Sequence, residues 1–378
     1  MTVHVCLVSA QAAPNLLPAL DPELKPKEVV LLVSQKMRAA ADALSMVFKE
    51  LGIRTDLIPL EDEHSSRVIE ETLLQIASER EGEEILLNLT GGTKLMALVA
   101  QQTVAQEENW RSFYVDVDTD VVVWLDKTPG KKLAEQLRLR HYLKSYGFDL
   151  SDSPERPQIT HEQRNLMQTL ITQIGSLEKP LTQLNWLTQQ AEDKKQLKIT
   201  MDTQQADSRS LEALLRHFAE AGFLQVNGNT ISYADETARN FVKGGWLELY
   251  TYSCVVDVTG ETGIRDKAAG LEVMSKEGVK NEMDIAMMVR NRLFVIECKT
   301  ARMDKPEAPK ANDTLFKLSE ICRRVGGLGT KGMLASYRPV ADSERKLART
   351  LNIELVCGQD LRNLRDGIRA WISAKNQN

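Results

Sequence analysis

No two cysteines of this chain stand close in sequence: the five, Cys6, Cys254, Cys298, Cys322 and Cys357, are odd in number and scattered. The absence of any CxxC excludes a zinc ribbon or a dithiol redox pair and leaves reduced, mostly buried thiols. Long apolar runs are missing too, since no window approaches the roughly 20 residues a membrane helix needs. The opening MTVHVCLVSA lacks a basic segment followed by a long apolar stretch, so a cytoplasmic protein without membrane contact is expected. Pro-rich, Ser-rich or repeated tracts, the marks of disorder and of solenoids, are absent. Positive charge is not in excess either. The net charge is −5, which argues against a protein coated with basic residues. Locally the balance differs: Lys299 to Arg349 holds 12 Lys and Arg against 6 Asp and Glu, where a polyanion could dock or a helical face could simply be solvated. His64, His141, His161 and His217 lack metal-ligand spacing, and Trp110, Trp124 and Trp186 read as core or interface residues.

What is present is length and alternation. A chain of 378 residues suggests two or three domains. The first part alternates strand-like and helix-like segments: Val3 to Val8, Glu28 to Val33, a helix through Lys36 to Leu51, a strand near Arg54 to Leu60, a helix from Ser65 to Arg80, an apolar strand Glu84 to Leu89, and a helix from Thr93 to Gln106. Such alternation predicts a parallel sheet covered by helices. Ser112 to Val117 and Val121 to Leu125, joined by Asp118-Thr119-Asp120, predict an antiparallel hairpin closing that sheet near Asp126, with connecting elements to about Leu150. Ser151 to Pro157 reads as a linker. Thr160 to Tyr233 is mainly helical and ends in a small hairpin around Asn227-Gly228-Asn229, the pattern of a winged-helix module, which either binds DNA or serves as a packing element. From Thr237 a second α/β unit follows: a helix containing Gly244-Gly245-Trp246-Leu247-Glu248, a strand near Cys254 to Thr259, a polar connection, a strong hairpin, then helices and short strands.

The hairpin carries the most specific chemistry. With Asn291 and Arg292 as a two-residue loop, Arg290 pairs with Leu293, Asp284 faces Lys299, and Ala286 faces Glu297. All four then lie on one face. Glu297 and Lys299, two apart, project together while Cys298 points away. Asp284 becomes the diagonal neighbour of Glu297, roughly 7 Å off at the β-carbons, and two carboxylates at that separation can share one cation. Oxygen ligands favour Mg²⁺ or Mn²⁺. Such an ion polarises a phosphate and acidifies a bound water, and Lys299 can orient that water or neutralise developing charge. The plain alternative is a surface salt-bridge cluster. Asp284, a gap, and Glu297-Cys298-Lys299 resemble the D-(x)n-E-x-K signature of the PD-(D/E)xK nucleases, although no proline precedes Asp284. That resemblance implies a further acid on the preceding helix, matched here by Glu248, and makes Asp284, Glu297 and Glu248 the metal ligands and Asp284, Glu297, Lys299 and Glu248 the catalytic set.

In the first domain, Asn88-Leu89-Thr90-Gly91-Gly92-Thr93-Lys94 lies where a strand ends and a helix begins, a position at which backbone N–H groups receive an anion. Its spacing is neither a P-loop nor a GxGxxG fingerprint, so ATP hydrolysis and NAD binding lose support. Ser9 and Gln11 follow the first strand and Ser34 the second, at the sheet edge where open α/β domains bind ligands; ordinary capped turns are the alternative.

Taken in order, Val8-Ser9-Ala10-Gln11, Leu89 to Lys94, the winged-helix-like spacer, Gly244 to Glu248 and the Asp284, Glu297, Lys299 cluster resemble the CARF-domain nucleases of type III CRISPR defence over essentially the whole chain. The resemblance implies a Rossmann-like CARF domain (1–150), a linker and winged-helix-like module (151–236) and a restriction-endonuclease-like α/β domain (237–378). It further implies a homodimer whose paired CARF domains bind a cyclic oligoadenylate, cyclic tetra-adenylate in particular, through Ser9, Gln11, Ser34, Thr90, Gly91, Gly92, Thr93 and Lys94. The ligand would activate cleavage of single-stranded DNA and RNA with Mn²⁺ or Mg²⁺. A ligand-responsive transcription regulator with a decayed nuclease domain is the competing reading; a restriction-type duplex endonuclease is a third.

Overall fold

The computed structural model describes residues 2–105, 107–134, 137–150, 156–300, 311–326 and 329–374. Much of the linker expected over Ser151 to Pro157, and part of the basic segment after Lys299, lie outside them.

Val- and Leu-rich segments form the first sheet because strands covered on both faces must be apolar throughout. Its strands are β1 (Val3–Leu7), β2 (Glu28–Ser34), β3 (Arg54–Leu60), β4 (Ile85–Asn88), β5 (Trp110–Asp116), β6 (Val121–Trp124) and β7 (Lys131–Lys132), in the order β3-β2-β1-β4-β5-β6-β7. The first five are parallel, and β6 and β7 close the sheet antiparallel. Helices α1 (Ala13–Leu20) and α2 (Arg38–Glu50) pack on one face, α3 (Ser66–Glu79) and α4 (Lys94–Val104) on the other. The strand order reverses direction between β1 and β4, the switch point at which doubly wound sheets open a crevice.

After α5 (Leu139–Ser145), the short strand β8 (Phe148–Leu150) leaves this sheet and pairs with Val273, Met274 and Ser275 of the C-terminal one. The middle region holds α6 (His161–Thr172), α7 (Ile174–Asp193), β9 (Lys198–Thr200), α8 (Thr203–Ala206), α9 (Arg209–Glu220), β10 (Leu224–Asn227) and β11 (Thr230–Tyr233). Its strands run β10-β11-β9, a winged-helix arrangement. The C-terminal unit comprises α10 (Glu236–Asn240), a π-turn at Phe241–Gly245, α11 (Trp246–Thr262), β12 (Ile264–Ser275), β13 (Lys280–Val289), β14 (Arg292–Lys299), α12 (Ala311–Gly326), β15 (Lys331–Ser336), α13 (Asp342–Thr350), β16 (Ile353–Cys357) and α14 (Leu364–Ala374). Its six strands run β16-β15-β14-β13-β12-β8, with a parallel half and an antiparallel half.

Two expectations fail here. Cys254 to Thr259 is not a strand but the interior of α11, and the polar connection after it contains the 12-residue strand β12. The reason is burial: α11 lies between α14 and the sheet, with Tyr250, Thr251, Tyr252, Ser253, Cys254 and Val255 all buried. An apolar run buried on several sides carries no periodicity to separate helix from strand.

The core is continuous across units. One apolar cluster runs from Leu31, Val33 and Phe113 of the first sheet through Tyr142 to Met288, Leu293 and Val295 of the β13–β14 hairpin. A second joins the middle helices to the opposite face of that hairpin through Trp246, Phe294 and Ile296.

Candidate active site and sensor cleft

The hairpin β13–β14 turns one residue earlier than its sequence suggests. The loop is Arg290-Asn291, both at positive φ (47° and 61°), and the ladder runs from Val289↔Arg292 to Ile285↔Ile296. Positive φ at both central residues is what a right-handed two-residue hairpin requires, and asparagine accepts it readily. Tertiary contacts set the choice, because the buried Asn291 side chain accepts from the Leu137 N–H and donates to the Ala134 carbonyl, both at 3.3 Å. The consequence for the site is a correction of partner but not of face. Pairing shifts by two residues, so side chains stay on their side, and Asp284 lies opposite Glu297 instead of Lys299. Opposed β-carbons stand about 4.5–5.5 Å apart, closer than a diagonal pair.

Asp284 and Glu297 are only 9% and 5% exposed, which excludes the surface salt-bridge cluster. Asp284 Oδ2 accepts the Cys298 backbone N–H at 2.7 Å. The neighbouring ladder passes over it, from Met283↔Leu271 to Ile285↔Ala269, across Gly270 at φ 55°. Lys299 Nζ pairs with Glu297 Oε1 at 2.6 Å. Cys298 points to the opposite face, where its thiol donates to Thr251 Oγ1 on α11 at 3.4 Å.

Glu248 sits in the first turn of α11 and enters the field of this group. Burial, then the charges of Glu297 and Glu248, push the Asp284 carboxyl up to about 8, with Lys299 pulling the other way. Burial also raises Glu248. For Lys299, burial would lower the ammonium, but Glu297 and Asp284 outweigh it and hold it charged. Three acids against one base leave the cluster short of positive charge, which is the condition for recruiting a cation. The oxygen donors suit a hard divalent ion. Among the described residues no group of three or more His, Cys, Asp or Glu is gathered closely enough to hold a metal ion.

The Gly244-Gly245 pair before α11 has a local cause. A β-carbon on Gly244 would stand 2.6 Å from Thr300 Oγ1, and Thr300 directly follows Lys299. That hydroxyl donates to the Lys243 carbonyl at 3.3 Å and accepts from Asn185 Nδ2 on α7 at 3.2 Å. Asn185 was not legible as a site neighbour, because no local pattern marks a helix residue that meets a strand end 115 positions away. Trp186, read from sequence as core or interface, is 54% exposed, since it lies on the outward face of α7 beyond the buried stripe Leu177, Leu181, Leu184 and Thr188.

The switch point of the first sheet gathers the other predicted group. Ser9 and Gln11 follow β1, Thr90 to Lys94 follow β4, and Ser34 ends the neighbouring β2. Gly91 is obligatory: a β-carbon there would come within 1.9 Å of the Leu7 carbonyl oxygen. Thr93 caps α4, its hydroxyl accepting the Met96 N–H at 3.2 Å. Lys94 is exposed and Ser34 is buried at 6%. Thr90 is an anchor for the loop. Its hydroxyl donates to Asn88 Oδ1 and accepts the Val115 N–H of β5, both at 2.7 Å. Asn88, quoted in the motif but given no role there, is fully buried and donates to Pro14 O at 2.8 Å and Asn15 Oδ1 at 2.9 Å, tying the end of β4 to the first turn of α1. A polar residue closing an otherwise apolar strand was the available signal.

Residues 3–142 match the family described as the Card1 CARF domain, and residues 235–375 the family described as the Card1-like endonuclease domain. No curated protein matches the chain. Among solved structures it resembles protein VC1899 from Vibrio cholerae (TM-score 0.89, 24% identity, 100% of this chain and 99% of that one). It is also similar to Can2 from Sulfobacillus thermosulfidooxidans, solved in complex with cyclic tetra-adenylate (TM-score 0.83, 22% identity, 98% and 99%). A type III CRISPR defence DNA nuclease activated by cyclic oligoadenylate is similar over 90% of this chain and 47% of its own (TM-score 0.59, 19% identity). At these identities the likeness establishes the fold.

Proposed function

The chain belongs to the CARF-domain nucleases of type III CRISPR defence, joining a Card1-type CARF domain to a Card1-like endonuclease domain, and from that premise we propose that it is a nuclease switched on by cyclic tetra-adenylate, cleaving single-stranded DNA and RNA with Mn²⁺ or Mg²⁺. The observation that carries the reading is the pair of buried, directly opposed carboxylates Asp284 and Glu297 with the Lys299 ammonium on the second. Asp284 and Glu297 would hold the divalent ion, which supplies polarisation of the scissile phosphate and a more acidic water. Glu248 adds negative field from α11 and keeps the cation's charge balanced. Lys299, held charged, stands beside Glu297, where it can steady negative charge on phosphate oxygens or orient the attacking water. Cys298 stays a buried thiol, pushed far above its usual range by burial.

On the sensor side, Ser9, Gln11, Ser34 and Gly91 to Lys94 would receive the ligand, with the open N–H groups at the α4 N-terminus suited to its phosphates. Thr90 holds the loop. A homodimer finds a surface on α4 itself, where Leu95 and Leu98 are 36% and 71% exposed directly beyond the cleft. The intact acidic pair and lysine weigh against the transcription-regulator alternative, since a decayed site has no reason to keep two buried carboxylates together at an electrostatic cost.

The test is cleavage of labelled single-stranded DNA and RNA with Mn²⁺ or Mg²⁺, with and without cyclic tetra-adenylate. Ligand-dependent cleavage that Asp284→Asn abolishes is the expected result. Silence under every condition, or full activity in D284N, would overturn the proposal.

A further inference from the structure

The two sites described above are tied by one side chain. Arg292 opens β14, the strand that carries Glu297 and Lys299 at its far end. Its guanidinium crosses into the CARF domain and donates to the Val117 carbonyl at 3.3 Å and to the Asp118 carbonyl. These carbonyls follow directly on β5, whose Val115 N–H is bonded at 2.7 Å to Thr90 of the candidate ligand loop. Asp116, between them, is held below its usual range by the Thr119 hydroxyl it accepts from, and Arg292's charge adds to the effect. The path therefore runs from the ligand loop to β5 through the Thr90 hydroxyl, along two residues of β5, through the guanidinium, and down β14.

The geometry points to Arg292 as a positioning residue that transmits the state of the ligand loop to the catalytic strand. Five residues separate Arg292 from Glu297, about 17 Å of extended strand. That strand is buried along nearly its whole length and bonded on both sides, to β13 and to β15. Such an element moves as a unit, so a displacement of its first residue reaches Glu297 and Lys299 with little loss. Asn291, the preceding residue, adds a second hold through Leu137 and Ala134. The turn of the catalytic hairpin is thus fastened to the sensor at two adjacent positions, and the apolar cluster common to both units lies behind it. A contact made only for docking would have no need to meet the segment that the ligand loop itself bonds to.

This inference rests on the proposed ligand-activated nuclease, and its test separates the two. Full-length wild type, Arg292→Ala and Arg292→Lys are compared in three measurements: calorimetric titration with cyclic tetra-adenylate, cleavage of a labelled single strand with Mn²⁺ with and without that ligand, and amide exchange over residues 284–298. In R292A the ligand dissociation constant should stay within about threefold of wild type and unstimulated cleavage should be unchanged. The stimulated-to-unstimulated ratio should fall by about tenfold, within the usual range of coupling between sites, in kcat and not in KM. R292K keeps the charge but offers one donor group instead of a fork, so partial recovery is expected. Ligand-induced change in exchange over the hairpin should appear in wild type and be lost in R292A. Wild-type stimulation in a folded R292A overturns the inference, as does bound ligand that leaves wild-type hairpin exchange unchanged. If R292A does not fold, R292K with full wild-type stimulation and kcat overturns it in the same way. Should no condition give cleavage while the exchange response depends on Arg292, the nuclease reading falls and the coupling stands.

Discussion

Asp284→Asn separates charge from shape at the centre of the site. Asparagine keeps a side-chain carbonyl to accept the Cys298 N–H, bonded at 2.7 Å in the wild type, and removes only the ability to ionise. The wild-type carboxyl is raised from 3.8 to about 8, chiefly by burial and then by Glu297 and Glu248. At about 1.4 kcal/mol per tenfold change in proton affinity, the ionised form is disfavoured by about 6 kcal/mol. If side-chain shifts and entering water relieve half of that, about 3 kcal/mol remains. The sign follows from linkage: a carboxyl raised in the folded state contributes stability that is complete below its unfolded value near 4 and is lost as pH climbs through about 8. Metal-free wild type should therefore weaken between pH 4 and pH 9 relative to D284N. The two should come closest near pH 4, where Asp284 is protonated in the folded chain and largely so in the unfolded one, and D284N should melt several degrees higher near pH 9. Differential scanning calorimetry in EDTA at both values reads this directly. Mn²⁺ should restore the wild type at pH 9 and leave D284N unmoved, with proton release on binding below pH 8. Equal pH dependence in the two proteins, or a D284N that is the less stable at pH 9, would refute the electrostatic account of the site.

Further outcomes test the remaining parts. Lys299→Ala removes the ammonium 2.6 Å from Glu297 and should cut single-turnover cleavage by about 10²–10³-fold with substrate binding within a few-fold of wild type. Gly91→Ala forces a methyl against the Leu7 carbonyl; a stability loss of about 1–3 kcal/mol in urea melts and loss of cyclic tetra-adenylate binding in calorimetry are expected. Leu98→Arg places charge at the most exposed leucine of α4 and should turn a dimer into a monomer in sedimentation velocity, with the fold intact by circular dichroism.

What the sequence determined by itself was set by period and by local sterics. Apolar runs alternating with amphipathic helices specified the doubly wound sheet, and the period of two placed Glu297 and Lys299 on one face, which Asp284 shares under both the expected and the observed pairing because the two differ by an even number of residues. The Thr90-Gly91-Gly92-Thr93 segment was legible as a strand-to-helix junction, whereas the reason glycine stands at 91, the Leu7 carbonyl against it, came only from the structure. Tertiary structure alone decided the rest, where the deciding partner lay far along the chain. The hairpin turned at Arg290-Asn291 because Leu137 and Ala134 hold the Asn291 side chain, so Glu297 and not Lys299 became the neighbour of Asp284. The run from Tyr250 to Val255 became helix because it is enclosed on several sides, and enclosure erases the periodicity by which helix and strand are told apart. The bond from Arg292 to the turn after β5 joins residues 174 and 175 positions apart; local sequence constrains each end of such a contact, and only the packing of two domains brings the ends together.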